Sequence, residues 1–257
     1  MITLKNISVV YGAGTENEVV ALNVGELEVE PGSWCNIIGA NGSGKTTLLK
    51  ALSGGIDSFQ GSLSIDGHNA TAWGPRRLSF LVQILEQYPE RNTVPSLTIL
   101  ENLSLYSKRP GSSSFSFIGN RNVDVISSLL KKFDMGLEKR LFTQVGLLSG
   151  GQKQAVALAA VLLRSPKVLL LDEFLASIDP ATTPKLLMVV EEMARIKSLT
   201  VLMVSHDLAQ VAATGDRLLI LSKGRVVQDV ATRQHKLSEA EIIDLYSDVW
   251  QKVERYR

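Results

Sequence analysis

The 257-residue sequence predicts an α/β fold: a mostly parallel core sheet built around a phosphate-binding loop, an N-terminal antiparallel β region and an inserted α-helical lobe. Three observations predict it. Residues Gly39-Ala40-Asn41-Gly42-Ser43-Gly44-Lys45-Thr46 fit the pattern G-x-x-x-x-G-K-[ST], lying between an apolar run, Trp34 to Ile38, and a helical stretch, Thr47 to Leu52. A second apolar run, Val168 to Leu171, ends in Asp172-Glu173, the composition of a strand covered on both faces. Between the two, the chain changes from β-rich before Leu81 to helical and proline-bearing from about Ile84 to Gly146.

The first elements are short β-rich runs at Ile2 to Val10, Val20 to Val29, Trp34 to Ile38 and Gly61 to Ile65, the last followed by an Asp66-Gly67 turn. Only the phosphate-loop helix interrupts them. In that loop Gly39, Gly42 and Gly44 let the backbone turn tightly and aim N–H groups at a β-phosphate, and the helix beginning near Lys45 adds the positive end of its dipole. Lys45 supplies a point charge for the β- and γ-phosphates. The Thr46 hydroxyl takes one position on Mg²⁺, which otherwise keeps water and phosphate oxygens. ATP and Mg²⁺ are therefore the expected ligands, and the core is expected to be that of a P-loop NTPase.

Leu78 to Val82 reads as a strand ending at Gln83, which on its own is a polar strand terminus. The segment after it holds Pro89, Pro95 and Pro110, a Gly111-Ser112-Ser113-Ser114 patch that reads as a surface loop, and helical stretches at Ile99 to Tyr106 and Val123 to Phe133. This is the predicted inserted lobe. Leu148-Ser149-Gly150-Gly151-Gln152 then forms a second glycine motif. A phosphate loop completes its own site without one, so the chain is expected to complete the site of another chain.

From Val168 onward strands alternate with helices, as in a return to a parallel sheet. At the carboxyl end of its strand Asp172 can hold Mg²⁺ through water, and Glu173 can polarise the water that attacks the γ-phosphate; taken alone, the same pair is a solvated strand end. Asp179, followed by Pro180, reads as the cap of a helix beginning at Ala181. His206 follows the strand-like run Thr200 to Val204 and, alone, is a structural histidine. Ser238 and Glu241 form a capping-box pattern. Ile242, Tyr246, Val249, Trp250 and Val253 follow it at helical spacing, an amphipathic helix expected to pack on the chain's own core.

Together these residues resemble the ABC-type ATPases, nucleotide-binding subunits that dimerise head to tail around two ATP molecules, over nearly the whole chain. Leu148 to Gln152 matches that family's signature, Gln83 its glutamine loop, Ser177-Ile178-Asp179 its aspartate loop and His206 its switch histidine. The resemblance implies one domain over 1–257, with an ATP-binding core from 1–83 and 165–257 and a helical lobe, 84–164, that carries the signature. It implies that Ser149, Gly150, Gly151 and Gln152 face the γ-phosphate of the opposite protomer, with Asp179 across the dimer. Tyr11, after the first strand, would stack on adenine, and Thr47 would join the loop in holding nucleotide. Glu173, His206 and Gln83 would be the catalytic group, and Thr46, Gln83 and Asp172 would hold the metal.

A narrower resemblance, carried by Gly14 to Leu22, Val145 to Gln152 and Lys236 to Ser238, is to a bacterial importer group. Its members work with permeases like those for branched-chain amino acids and with extracytoplasmic solute-binding proteins; aromatic amino acids are one substrate class. It implies a second ATPase protomer, in a homodimer or a heterodimer, a transmembrane permease as partner and a peripheral place on the cytoplasmic face of the cell membrane. A stand-alone cytosolic ABC ATPase acting on a soluble scaffold carries the same motifs and is the alternative. A kinase would have no reason for the signature or for His206. Departures are Phe174, where proline or histidine is usual, and Ala155 and Ala160, where basic residues are common.

Composition agrees. A formal charge of +1 gives no field for nucleic acid, and the length allows one large core. Cys35 is the only cysteine, which excludes an intrachain disulfide and a cysteine-rich metal site. Met1 to Asn6 lacks the apolar region of a signal peptide, and no apolar run approaches the ~18 residues that span a bilayer, so membrane attachment is expected to need a partner.

Overall fold

The computed structural model describes residues 1–107 and 120–254. Strands β1 (Ile2–Tyr11), β2 (Val19–Val29) and β3 (Trp34–Ile38) precede helix α1 (Lys45–Ser53). Strands β4 (Gln60–Ile65) and β5 (His68–Asn69), the short helix α2 (Pro75–Leu78) and strand β6 (Val82–Leu85) follow. Three helices come next, α3 (Ile99–Ser107), α4 (Asn120–Lys131) and α5 (Gly150–Leu163). The chain then alternates through β7 (Val168–Asp172), α6 (Thr183–Lys197), β8 (Thr200–Val204) and α7 (Leu208–Ala213), and closes with β9 (Arg217–Ser222), β10 (Arg225–Ala231) and α8 (Glu239–Glu254).

These strands form two sheets. One is antiparallel, in the order β2-β1-β4-β5; the other has the order β10-β9-β3-β8-β7-β6 and is parallel except where β10 pairs with β9. The parallel strands are apolar at nearly every position because both faces are covered. Along β7, Leu169 and Leu171 join a core with α3 to α6, while Val168 and Leu170 join a second core with α1 and the antiparallel sheet. β8 divides the same way, Val201 and Met203 against Leu202 and Val204. A third cluster seats α7 and α8 on β9 through Ile220, Val211 and Ile242.

The expected elements are present with shifted ends. β1 runs on to Tyr11, so that residue closes the strand instead of following it. The run Leu78 to Val82 is not a strand. Pro75 opens a helical turn that takes up Leu78, and β6 starts at Val82, where register with β7 begins. α6 starts at Thr183 rather than Ala181, with Asp179 Oδ1 accepting from the amides of Ala181 and Thr182 ahead of it. Ser238 and Glu241 exchange the expected capping bonds at the start of α8, and Ile242 in its first turn is buried. The Gly111 to Ser114 patch, Pro110 and the side chains of Val249, Trp250 and Val253 lie outside what is described. Among the described residues no helix is long and apolar enough to cross a membrane.

Candidate functional site

The buried strand β3 delivers the chain at Ile38 to the loop 39–44, and α1 leaves from Gly44, whose carbonyl accepts the first helical bond from Leu48. The loop lies so close to β9 that a Cβ on Gly39 would stand 2.3 Å from the Leu221 carbonyl oxygen, a contact only glycine avoids. Lys45 is buried and folds back over the loop, donating from Nζ to the carbonyls of Gly39 (2.8 Å) and Ala40 (3.1 Å). Burial lowers its pKa, and the nearby charges of Glu173 and Asp172 push it back up. Ser43 is buried as well, and its Oγ has no hydrogen-bond partner. An orphaned buried hydroxyl inside a loop of convergent amides fits a bound phosphate. Asn41 and Gly42 are exposed at the loop's tip, and Thr47 is half-buried in the first turn of α1.

Asp172 ends β7 and its Oδ1 accepts a long bond, 3.4 Å, from the Thr46 hydroxyl. Desolvation raises the Asp172 pKa, the Thr46 bond lowers it, and the carboxylates of Glu173 and Glu86 raise it again. Asp172 stands opposite Val204 in the parallel register, so the residues beyond the two strands emerge side by side. Glu173 donates its N–H to the Val204 carbonyl at 3.1 Å, and its Oε1 meets His206 Nε2 at 2.7 Å. Its backbone is left-handed, with φ 49, an arrangement that costs a non-glycine residue about 1 kcal/mol and recurs at functional sites. His206 is fixed by its neighbours: Asp207 caps α7, and Ser205 Oγ accepts from the Asp207 amide and donates to Gln210. A cleft of about 570 Å³ adjoins the pair, lined by Phe174, Ile178, Pro180 and Met203 among others, and not by the phosphate loop.

The structure thus gathers Lys45, Thr46, Asp172, Glu173 and His206 at one edge of the sheet. Tyr11 is half exposed at the end of the β1–β2 hairpin, paired with Val19, and the hairpin abuts the loop where the Ala21 carbonyl would lie 2.6 Å from a Cβ on Gly44. Gln83 does not join this group. It sits inside β6 opposite Leu169, buried, with Nε2 donating to the carbonyls of Ser79 (2.7 Å) and Val82 (3.2 Å). Since Leu85 pairs with Leu171, Glu86 comes level with Asp172 and Gln87 lies just past it. Gln87 is half-buried and, among the described residues, makes no side-chain hydrogen bond. Its signal was present in the sequence: the apolar run continues through Ile84-Leu85 and stops only at Glu86-Gln87, shortly before Pro89.

The second glycine motif lies at the start of α5 and bonds within itself. Ser149 Oγ accepts from the Gln152 amide (3.4 Å) while Gln152 Oε1 accepts from the Ser149 amide (3.3 Å), a reciprocal cap. Arg140 also donates to Gln152 Oε1. Ser149 and Gly150 are exposed, whereas Gly151 packs on Thr182, next to the Asp179 turn. Hydrogen bonds from Thr182 hold the Asp179 carboxyl below its ordinary pKa. Among the described residues no hydrogen bond or ion pair joins Ser149–Gln152 to the Lys45 group. The three departures are core positions: Ala155, Ala160 and Phe174 are buried in the cluster with α3 to α6, where a longer basic side chain would bury its charge.

No cluster of three or more His, Cys, Asp or Glu residues able to hold a metal occurs among the described residues. The Thr46–Asp172 pair offers two oxygens, which suits Mg²⁺, an ion that keeps most of its water and borrows phosphate oxygens.

A family model described as ABC transporter matches residues 22–176. The tyrosine transport ATP-binding protein of Clostridioides difficile is 36% identical over 221 residues, covering 86% of this chain and 88% of that one. The methionine import ATP-binding protein MetN of Histophilus somni is 32% identical over 229 residues, 89% of this chain, which spans only 64% of that longer relative. Among solved structures, the dimeric post-hydrolysis state of the ATP-binding cassette MJ0796, bound to ADP and Pi, superposes with a TM-score of 0.78 at 28% identity, covering 91% of this chain and 99% of that one.

Proposed function

The chain belongs to the ABC transporter family and is an ATP hydrolase of that type, and from that premise we propose that it drives a membrane importer of a small solute, an amino acid in particular. The observation that carries the reading is the contrast within one chain: a phosphate loop with its acidic and histidine partners assembled, and a signature segment capped and exposed elsewhere. The amino-acid cargo is supported by relatives named for tyrosine transport and methionine import. In this reading two copies associate, each presenting Ser149, Gly150, Gly151 and Gln152 to the ATP held by the other, with Asp179 beside the junction. The chain has one domain over 1–257, its helical lobe, 84–164, docking a permease at the cytoplasmic face of the membrane. A solute-binding protein on the far side would supply the cargo.

The residues act as follows. The loop amides, Ser43 Oγ and Lys45 hold the β- and γ-phosphates, Lys45 exchanging its loop carbonyls for phosphate oxygens, and Tyr11 packs on the adenine. Thr46 and Asp172 would hold Mg²⁺ together with Gln87, to which we assign the role expected of Gln83, because Gln87 lies at the strand end and Gln83 is tied to backbone carbonyls. When bound, the ion neutralises charge on the phosphates. Glu173 accepts the proton of the water that attacks the γ-phosphorus while the bond to the β,γ-bridging oxygen breaks. His206, bonded to Glu173, orients that carboxylate. The test is to isolate ATP-trapped Glu173→Gln protein from detergent-solubilised native membranes. A stoichiometric polytopic permease is expected beside it, and soluble scaffold proteins alone would overturn the transporter reading.

A further inference from the structure

The phosphate loop rests on a hairpin from a remote part of the chain. β9 and β10 are joined by Lys223 and Gly224, both left-handed, with φ 47 and 75. The Gly224 N–H donates to the Ser43 carbonyl at 2.9 Å, and the Gly224 carbonyl accepts from the Asn23 amide at 2.7 Å. One residue therefore bridges the loop and β2. The packing is tight: a Cβ on Gly224 would lie 3.0 Å from both the Ala21 carbonyl oxygen and Leu22 Cα, and a Cβ on Gly44 would lie 3.2 Å from Gly224 Cα. Ser43, whose carbonyl Gly224 binds, is also the residue whose hydroxyl is buried without a partner. Its backbone is fixed from outside the loop while its side chain is left for a ligand.

From these contacts we propose that Gly224 is a positioning residue for ATP: it holds Ser43 and Gly44 in the conformation that aims the loop amides at phosphate. This rests on the reading of 39–46 as the ATP phosphate site. A matched turn separates the role from general folding. β4 and β5 are joined by Asp66 and Gly67 with φ 52 and 78, nearly the same backbone, yet a Cβ on Gly67 would meet nothing within 4 Å. An alanine at either position pays for a left-handed backbone; only Gly224→Ala also presses on Ala21 and Leu22 of β2, the segment on which Gly44 of the phosphate loop packs.

The experiment measures the ATP dissociation constant, KM, kcat and melting temperature for wild type, Gly224→Ala and Gly67→Ala. Gly224→Ala is expected to weaken ATP binding and raise KM by about ten-fold, with kcat at saturation within about two-fold of wild type. Gly67→Ala is expected to keep the wild-type dissociation constant and KM. Equal shifts in the two variants, or wild-type affinity in Gly224→Ala, would overturn the proposal. If Gly224→Ala does not fold, Gly224→Asn and Gly67→Asn replace the pair with the same expectations, since asparagine tolerates the left-handed region but keeps the intruding Cβ. Wild-type protein that binds no ATP would instead overturn the reading of the loop.

Discussion

At the carboxyl edge of the six-stranded sheet, side chains from distant parts of the chain bond to one another: Thr46 to Asp172, Glu173 to His206, with Lys45 turned into the loop beside them. At the start of α5, Ser149 and Gln152 bond chiefly to each other, and Ser149 and Gly150 face outward. The first region is assembled by folding, because parallel register brings the ends of β7 and β8 level. The second is a helix cap, complete locally and exposed. Two kinds of site-building thus sit in one chain, one fixed by the sheet and one that, in the proposed reading, a second copy completes.

That contrast is open to attack from both sides. The largest effect belongs to Glu173→Gln, expected to lower kcat on the order of 10² to 10⁴-fold while ATP binding is kept, as read by phosphate release against nucleotide titration. Loss of binding with unchanged turnover per bound ATP would break the sheet-edge half of the account. Next is Ala155→Arg on the signature helix, which forces a charge into a fully buried position. It should cost about 3 kcal/mol or more in urea unfolding, and a cost near zero would show that α5 is not the rigid base the cap needs.

A smaller effect separates two glutamines. Gln87→Ala should reduce turnover roughly 10-fold, whereas Gln83→Ala should leave turnover alone and lower stability by about 1 kcal/mol through its lost backbone bonds. The reverse pattern would return the role to Gln83. The smallest effect is expected at Lys185→Ala, which removes an exposed ion pair with Asp134 between α6 and the end of α4. A change of about 0.5 kcal/mol or less is expected from thermal unfolding.

The sheet edge was largely legible in the sequence because its signals are local: the phosphate loop carries its own strand and helix, and apolar, β-branched runs such as Thr200 to Val204 have the composition of a doubly covered strand. What was not legible depends on partners far along the chain. Leu78 to Val82 has strand composition, but Pro75 starts a helical turn and pairing with β7 sets where β6 begins, so the strand end moves from Gln83 to Leu85. The support that Gly224 gives Ser43 joins segments whose sequences do not mention each other. Ala155 and Ala160 look like missing basic residues until α5 is seen packed on all sides.

Whether the two regions complete each other only across two chains is decided by sedimentation of Glu173→Gln protein with and without ATP, beside the same protein carrying Ser149→Arg. ATP should double the mass of the first and leave the second as a single chain, although both bind nucleotide. If both stay single, or both double, the signature segment does not complete a second chain's site.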